Sequence, residues 1–330
     1  MSAIPNRMLK KILLPNTELA VSQFSIGTPQ WGSVLVGERL ESLFTGYVEA
    51  GGNFFDTAHC YAFWRDGLGA SETSLGHLVR RHCRREDVVI ATKCGHPFGG
   101  PQYPRPVKVL SPEMISADLS ESLSRLKMDR LDLFYVHRDD SSVPVAEIMD
   151  ALNIHIRSGQ VRCLGASNWT AARIAEANVY AEAHGLAGFV VSQPQWSLAQ
   201  PNAPVPTSDP AMRYLTAEER AWHVATGFPL VAYTSSANGY ISDAPKPASA
   251  AFDNPTSQSR RARAMALAAK FGVTPNAIAL AYLISQPFPV IPILGTMDLS
   301  HLKEAMLAAE ISLTPRQVGW LETGEETLGV

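Results

Sequence analysis

The sequence has little cysteine, with only Cys60, Cys83, Cys94 and Cys163 among 330 residues. They are spread singly and form no CxxC pair, which argues against both a disulfide scaffold and a zinc module. Cys94 and His96 are close enough in sequence to share a metal ion. Structural zinc needs four ligands, however, and no second pair shows ligand spacing. We therefore expect no metal site.

An excess of charge and a long apolar run are also lacking. The 28 lysine and arginine residues nearly balance the 31 aspartate and glutamate residues, so neither nucleic acid nor an acidic membrane is expected as a partner. The N-terminal segment has no apolar stretch of signal-peptide length, and the most apolar later segment, 277–294, is broken by Gln286 and three prolines. We expect a cytoplasmic protein that does not enter a membrane.

A dinucleotide-binding GxGxxG does not follow the first predicted strand, which argues against a Rossmann fold. Instead, β-branched runs alternate with amphipathic stretches of helical period. The predicted strands are residues 24–27, 53–56, 88–92, 131–136, 161–166, 189–193, 230–233 and 290–294. Strands that alternate with helices lie parallel, and eight such units favour a closed (α/β)8 TIM barrel, here a single domain over residues 1–330.

Two further features surround the predicted barrel. Residues 11–14 and 18–21 flank Pro15-Asn16-Thr17 and predict an N-terminal β-hairpin that closes the bottom of the barrel. Two long stretches rich in Pro, Gly and Ser, 95–110 and 234–256, predict loops at the C-terminal face. Loops of this length in a compact domain are usually functional lids.

Ionisable residues follow consecutive predicted strands. Asp56 ends the second strand and Tyr61 follows it, while Lys93 and His137 come directly after the third and the fourth. Each alone could be a structural ion pair or a core histidine, but the C-terminal ends of barrel strands share one rim, which is where barrel enzymes build their active sites. A lysine beside Tyr61 would stabilise its phenolate, a carboxylate would keep Lys93 charged, and His137 could donate to a developing oxyanion.

The chain resembles the aldo-keto reductase superfamily over nearly its whole length. Each matching motif alone is weak, but together they occur in order and at strand ends. In chain order they are Gly27-Thr28, Asp56-Thr57-Ala58 with Tyr61, Ser71-Glu72 followed by Leu75-Gly76, Ala91-Thr92-Lys93, Tyr135-Val136-His137, Gly165-Ala166-Ser167-Asn168, Gln193, and Gly295-Thr296 followed by His301-Leu302.

The resemblance implies a catalytic tetrad of Asp56, Tyr61, Lys93 and His137, with Tyr61 as the proton donor in carbonyl reduction. It also implies that a nicotinamide cofactor lies across the barrel mouth, with its ring stacked on Trp196. The implied cofactor-binding residues are Gly27, Thr28, Ser167, Asn168, Gln193, Trp196, Thr234, Ser235, Ser236, Gly295, Thr296, Met297, His301 and Glu304. The sequence departs from the family's usual Ser-Pro-Leu at Thr234–Ser236.

The region expected to bind the 2′-phosphate departs further. The resemblance implies NADPH, yet the stretch from Gly295 to Asp298 contains no lysine or arginine. Asp298 would repel a phosphate and favour NADH, whereas His301 and Lys303 could compensate. We expect NADPH, with NADH also possible.

Tryptophans follow several predicted strands and suggest the substrate. Trp31, Phe63, Trp64 and Trp169 are predicted to line the pocket, because indoles beside polar groups suit a sugar, a polyol-derived carbonyl or a cyclic ketone. Two alternatives remain open. The chain could be a cofactor-bound, redox-sensing regulatory subunit of a membrane channel with little turnover, or a barrel lyase in which Lys93 forms a Schiff base. Pairing of Lys93 with Asp56 argues against the lyase.

Overall fold

The computed structural model describes residues 8–65, 67–98, 103–203, 209, 211–245 and 247–325. The strands in these ranges are β1 Lys11–Leu13, β2 Ala20–Ser22, β3 Ser25–Gly27, β4 Phe54–Asp56, β5 Val89–Cys94, β6 Leu131–Val136, β7 Val161–Ser167, β8 Phe189–Gln193, β9 Leu230–Ala232 and β10 Val290–Leu294. The α-helices are α1 Gly37–Glu49, α2 Ala70–His82, α3 Pro112–Leu126, α4 Val145–Arg157, α5 Ala171–Ala183, α6 Ala217–Thr226, α7 Pro255–Phe271, α8 Pro275–Ile284, α9 Leu299–Leu307 and α10 Pro315–Thr323.

Strands β3 to β10 form a closed parallel barrel in the order β10-β3-β4-β5-β6-β7-β8-β9. The predicted (α/β)8 TIM barrel is therefore confirmed, and each predicted strand lies within two residues of an observed one. Since all eight strands run in the same direction, their C-terminal ends form a single rim. Residues that are far apart in sequence are brought together there.

The predicted N-terminal hairpin is also confirmed. Strands β1 and β2 pair antiparallel. Leu14 and Leu19, at the tip of the hairpin, are buried in one cluster with the barrel-interior side chains of Phe54, Val89 and Ile291. Val89 and Phe54 begin their strands, so the hairpin closes the N-terminal end of the barrel. The opposite end is left for the site.

Polar side chains cap the starts of several helices, whereas α1, α2 and α4 begin without such a cap. Ser111 caps α3 by accepting a hydrogen bond from the backbone N–H of Met114, and proline occupies the first turn. Sequence reasoning missed α10, although Thr314 and Gln317 form a capping box around Pro315 at its start. The short C-terminal helix carries the signal of a helix start but little amphipathic length, which explains the omission.

Motif residues on α2 hold this helix against the barrel and against α3. Ser71 donates a hydrogen bond to the carbonyl of Thr28 at 2.7 Å. A Cβ at Gly76 would lie 2.2 Å from the backbone oxygen of Leu126, so only glycine allows α2 to approach α3 this closely. These residues shape the fold beneath the site without entering the site itself.

No single helix in the described ranges is long and apolar enough to cross a membrane. Helices α7 and α8 meet the same length and composition test only as a pair, and they are bent by 98° relative to each other.

Candidate active site

A buried ion pair lies at the C-terminal rim of the barrel. The Lys93 ammonium donates to Asp56 Oδ1 at 2.6 Å and to the Thr57 carbonyl at 2.7 Å. Gln193 donates from across the barrel to the other Asp56 oxygen at 2.8 Å. Burial lowers the pKa of Lys93, and the Asp56 carboxylate opposes that shift. The carboxylate therefore stabilises a charged amine in a place where burial alone would favour the neutral one.

The Tyr61 phenol lies next to this pair. Lys93 Nζ donates to the Tyr61 oxygen at 3.4 Å and lies 4.9 Å from the centre of its ring. Burial raises the pKa of Tyr61 well above its ordinary value, and the Asp56 carboxylate adds to this shift. We expected Lys93 to make the phenol a stronger acid. In the free site, burial has the larger effect on the pKa of Tyr61, and Lys93 also pairs with Asp56 at closer range. The effect of Lys93 on the acidity of the phenol therefore stays a prediction.

His137 completes the group at the end of β6. Its ring centroid lies 6.0 Å from that of Tyr61. Burial lowers the pKa of His137 well below its ordinary value, and the neighbouring Arg138 cation lowers it further. The imidazole is therefore neutral at neutral pH and can donate one hydrogen bond without carrying charge. The structure thus places the four predicted tetrad residues, Asp56, Tyr61, Lys93 and His137, side by side.

A buried network of charges supports the site from behind. Arg105, in the predicted loop 95–110, forms two hydrogen bonds of 2.7 Å to Asp118 on α3. His59 contacts Glu121 at 2.9 Å, and Arg125 bridges Glu121 and Glu72. The network therefore holds His59, two residues before Tyr61, and it anchors the loop to α3 through Arg105. Residues 99–102 of the same loop lie outside the described residues, and its role as a lid remains a prediction.

A cavity of about 210 Å³ opens beside the tetrad. It is lined by Cys60, Tyr61, Trp64, His96, His137, Arg138, Ser167, Asn168, Gln193 and Tyr233. A larger groove of about 1330 Å³ lies at the opposite end of the barrel, around Asn53, Val89 and Asp132, and contains none of the tetrad. We assign the reaction to the smaller cavity, because the ionisable groups converge there.

Ser167, Asn168 and Gln193, which are predicted to bind the cofactor, form one wall of the cavity. Asn168 adopts a positive φ of 61°, which asparagine tolerates better than most residues. Its side chain donates to the His137 carbonyl at 3.1 Å and accepts from the Tyr233 hydroxyl at 2.8 Å. These bonds tie the wall to the strands on both sides.

Trp196 does not face the cavity. Its indole is buried and stacks on Phe288, with the two planes 3° apart, while the edge of Tyr282 packs against it. The prediction that it stacks on the nicotinamide is therefore wrong, because the indole packs against Tyr282 of α8 and against Phe288. Tyr233, which directly follows β9, presents the aromatic ring in the cavity instead.

The other predicted cofactor residues are distributed unevenly. Gly27 and Thr28 are buried, and the Thr28 hydroxyl is engaged with Ser71 at 2.8 Å. The segments that follow β9 and β10 are neighbours because these two strands pair. They carry the predicted residues Thr234, Ser235 and Ser236, and Gly295, Thr296 and Met297. On α9, His301 is exposed, whereas Glu304 accepts a hydrogen bond from the Thr274 hydroxyl at 2.7 Å.

Of the four predicted substrate residues, only Trp64 lines the cavity, where 45% of it is exposed. Trp31 is buried edge-on against Phe44 and Phe55. Trp169 packs on Phe189. These placements correct the prediction: the indoles are large enough to be more stable in the core than at the rim.

Phe63 is the remaining correction, since it packs against His59 and Tyr103 and not into the cavity. Sequence reasoning missed four lining residues: Cys60, His96, Arg138 and Tyr233. Signals for three of them were present, because Cys60 precedes Tyr61, Arg138 follows His137, and Tyr233 ends a predicted strand. His96 lies in a loop, where no periodicity predicts the direction of a side chain.

The fold and the site together define a class: a barrel enzyme with acid–base groups at the C-terminal ends of its strands. A sequence model of the Aldo/keto reductase family matches residues 24–323. The chain belongs to the aldo/keto reductase family and is an oxidoreductase.

Several curated proteins are similar to the chain. "Uncharacterized oxidoreductase YrpG" of Bacillus subtilis is 29% identical over 313 residues, which covers 91% of each chain. Norsolorinic acid reductase B of Aspergillus parasiticus is 29% identical over 336 residues, covering 95% of this chain and 83% of the relative. A probable voltage-gated potassium channel subunit beta of Oryza sativa subsp. japonica is 38% identical over 187 residues, covering 56% of this chain and 54% of the relative.

Proposed function

We propose that the protein is a nicotinamide-dependent reductase that interconverts a carbonyl and an alcohol, with Tyr61 as proton donor and acceptor. One observation carries the proposal: the Tyr61 phenol, supported by Lys93 at 3.4 Å, lies beside His137 in a single cavity. A proton donor and a second hydrogen-bond donor that point into one cavity suit the oxygen of a carbonyl group.

Each residue of the tetrad has a separate role in the proposed reaction. Tyr61 donates its proton to the carbonyl oxygen, and Lys93 stabilises the phenolate as it forms. Neutral His137 donates a hydrogen bond to the same oxygen while negative charge develops there. Asp56 holds Lys93 in its charged form, and Gln193 holds the second oxygen of Asp56. In alcohol oxidation the roles are reversed, and the Tyr61 phenolate accepts the proton of the alcohol.

The donor set opposite the tetrad fits a nicotinamide. The hydroxyl of Ser167 and the amides of Asn168 and Gln193 combine donors and acceptors, as a carboxamide requires, and Tyr233 adds a flat ring. When bound, the reduced nicotinamide would supply the hydride. The paired loops after β9 and β10 would hold the rest of the cofactor through Thr234–Ser236 and Gly295–Met297.

For the cofactor we propose NADPH, with NADH also accepted. The Asp298 carboxylate accepts hydrogen bonds from the backbone N–H of Ser300 at 2.7 Å and from its hydroxyl at 2.6 Å, which lower the pKa of Asp298. It therefore stays ionised at the start of α9. His301 is exposed on the same helix and offers a partner for a 2′-phosphate. Because the Asp298 carboxylate would repel a 2′-phosphate whereas His301 could bind one, we expect only a small preference for NADPH over NADH.

For the substrate we propose a sugar, a polyol-derived carbonyl or a cyclic ketone. The cavity combines the aromatic faces of Trp64 and Tyr233 with the hydrogen-bonding groups of His96 and Arg138. Such a surface suits a ligand with a flat or amphipathic face and several polar groups. Since the substrate shares this cavity of about 210 Å³ with the nicotinamide, a single small ring is favoured over an extended molecule.

A panel assay tests both parts of this proposal. Oxidation of NADPH and NADH is followed by absorbance with sugar ketones, cyclic ketones and unfunctionalised aliphatic aldehydes. We expect turnover of the first two classes and a ratio of cofactor affinities below about tenfold, equivalent to about 1.4 kcal/mol.

Each other outcome has a definite meaning. Turnover of aliphatic aldehydes alone would refute the substrate class. Tight binding of the cofactor with negligible turnover of every carbonyl would favour the cofactor-bound regulatory subunit instead. Failure of the folded protein to bind either cofactor would refute the reductase.

The pH profile is predicted to differ between the two directions. Because the pKa of Tyr61 is raised, its protonated form persists, and because the pKa of His137 is lowered, its neutral form persists. We expect kcat/KM for reduction to be level from about pH 6 to about pH 9, and kcat/KM for oxidation to rise over this range as the phenolate fraction grows. A decline in reduction toward alkaline pH would place the Tyr61 pKa inside the range and contradict the prediction.

A further inference from the structure

Three potential metal ligands meet in the substrate cavity. The ligand atoms of Cys60, His96 and His137 all lie within 4.8 Å of one another. Cys60 Sγ lies 3.7 Å from His137 Nδ1. Cys60 and His137 are buried, and His96 is half-buried at the mouth.

The 3.7 Å between Cys60 Sγ and His137 Nδ1 matches the separation of two ligands around a tetrahedral ion. With Zn–S of about 2.3 Å and Zn–N of about 2.0–2.1 Å, a sulfur and a nitrogen ligand of zinc lie about 3.6 Å apart. Thiolate and imidazole are ligands that zinc prefers. Cys94, two residues before His96, is not part of this group, because its thiol donates to the carbonyl of Tyr135 at 3.5 Å.

The surroundings are compatible with a divalent cation. The cations near the cluster have carboxylate partners: Lys93 pairs with Asp56 at 2.6 Å, Arg138 with Asp209 at 2.7 Å, and Arg105 with Asp118 at 2.7 Å. His96 Nδ1 lies 2.9 Å from the Phe98 carbonyl, and a hydrogen bond donated there would orient the ring and leave Nε2, which lies 3.5 Å from an Asp209 oxygen, to bind the ion. The cavity adds room for a fourth ligand, either a water molecule or an oxygen of the substrate.

We propose that Cys60, His96 and His137 form a Zn²⁺ site that occupies the substrate cavity and inhibits the enzyme. On binding, the Cys60 thiol releases its proton to solvent and a Zn–S bond forms, with no change in oxidation state. Zinc would hold His137 and fill the space that the carbonyl needs. The binding site stands on the three ligands alone, whereas the inhibition rests on the proposed function.

The binding test uses untagged full-length protein without cofactor. Isothermal titration with ZnCl₂ is expected to show one ion per chain, and Co²⁺ is expected to show a thiolate charge-transfer band. Cys60→Ala and His96→Gln should each weaken Zn²⁺ binding by roughly tenfold or more. Cys83→Ala is the matched control, because Cys83 is a partly exposed thiol outside the cavity and its loss should leave binding unchanged.

Unchanged Zn²⁺ affinity in both Cys60→Ala and His96→Gln would overturn the site, as would loss of binding in Cys83→Ala. His96 lies in a loop, so His96→Gln tests the site even if Cys60→Ala does not fold. With an active carbonyl from the panel, Zn²⁺ should inhibit competitively with that carbonyl in the wild type and in Cys83→Ala. Inhibition that increasing carbonyl does not relieve would refute the location in the cavity. An inactive protein that still binds Zn²⁺ would refute the proposed function and leave the site intact.

Discussion

Tyr61→Phe is expected to lower kcat for carbonyl reduction by a factor on the order of 10² or more, with little change in cofactor affinity. The change removes a single oxygen, which accepts a hydrogen bond from Lys93 at 3.4 Å. Lys93 keeps its shorter bonds to Asp56 and Thr57, so the fold and the ion pair should survive. The loss is then a loss of the proton donor. Steady-state kinetics and titration with NADPH measure the two effects separately.

Tyr103→Phe is the matched control for this experiment. Its hydroxyl donates to Glu121 at 2.8 Å close to the site, but Tyr103 does not line the cavity. We expect a change in kcat of no more than a few-fold, roughly what loss of one supporting hydrogen bond costs. Equal loss of turnover and of cofactor affinity in Tyr61→Phe would show that Tyr61 is structural, and the proposed mechanism would then be wrong.

Lys93→Met is expected to destabilise the protein by about 3–5 kcal/mol as well as to abolish activity, because it leaves the buried Asp56 carboxylate without its cation. Both side chains of the pair are at most 2% exposed. Urea unfolding of Lys93→Met, Asp56→Asn and the double variant measures the coupling between them. The double variant buries no charge at the pair, so it should recover much of the stability and none of the activity.

Lys108→Met provides the control, since Lys108 is exposed and its replacement should change the free energy of unfolding by less than about 0.5 kcal/mol. A Lys93→Met variant within about 1 kcal/mol of the wild type would contradict the prediction. It would mean that the pair serves catalysis without supporting the fold.

The barrel and the tetrad could be predicted from sequence for the same reason. Alternating strands and helices determine parallel strands, and parallel strands in a closed barrel bring all their C-terminal ends to one rim. Asp56 ends β4, Lys93 is the last residue but one of β5, and His137 directly follows β6, so knowledge of the strand ends was enough to place them together. Tyr61 follows within one short turn of β4, too few residues to carry it elsewhere.

The aromatic residues could not be placed in the same way. Trp31, Trp169 and Trp196 all follow strands, yet each is buried in the core between the barrel and the helices. After a strand ends, side-chain direction depends on the turn and on which surface offers more apolar contact. That balance is set by residues distant in sequence, such as Phe288 beside Trp196.

The sequence by itself therefore determined the barrel, the closing hairpin and the residues of the acid–base group. Only the tertiary structure decided which side chains line the cavity, that Tyr233 replaces Trp196 as its aromatic face, and that Cys60 and His96 meet beside His137. The physical reason is that alternation and strand ends are local properties of the chain. The shape of a cavity, in contrast, depends on packing between segments, which no local pattern records.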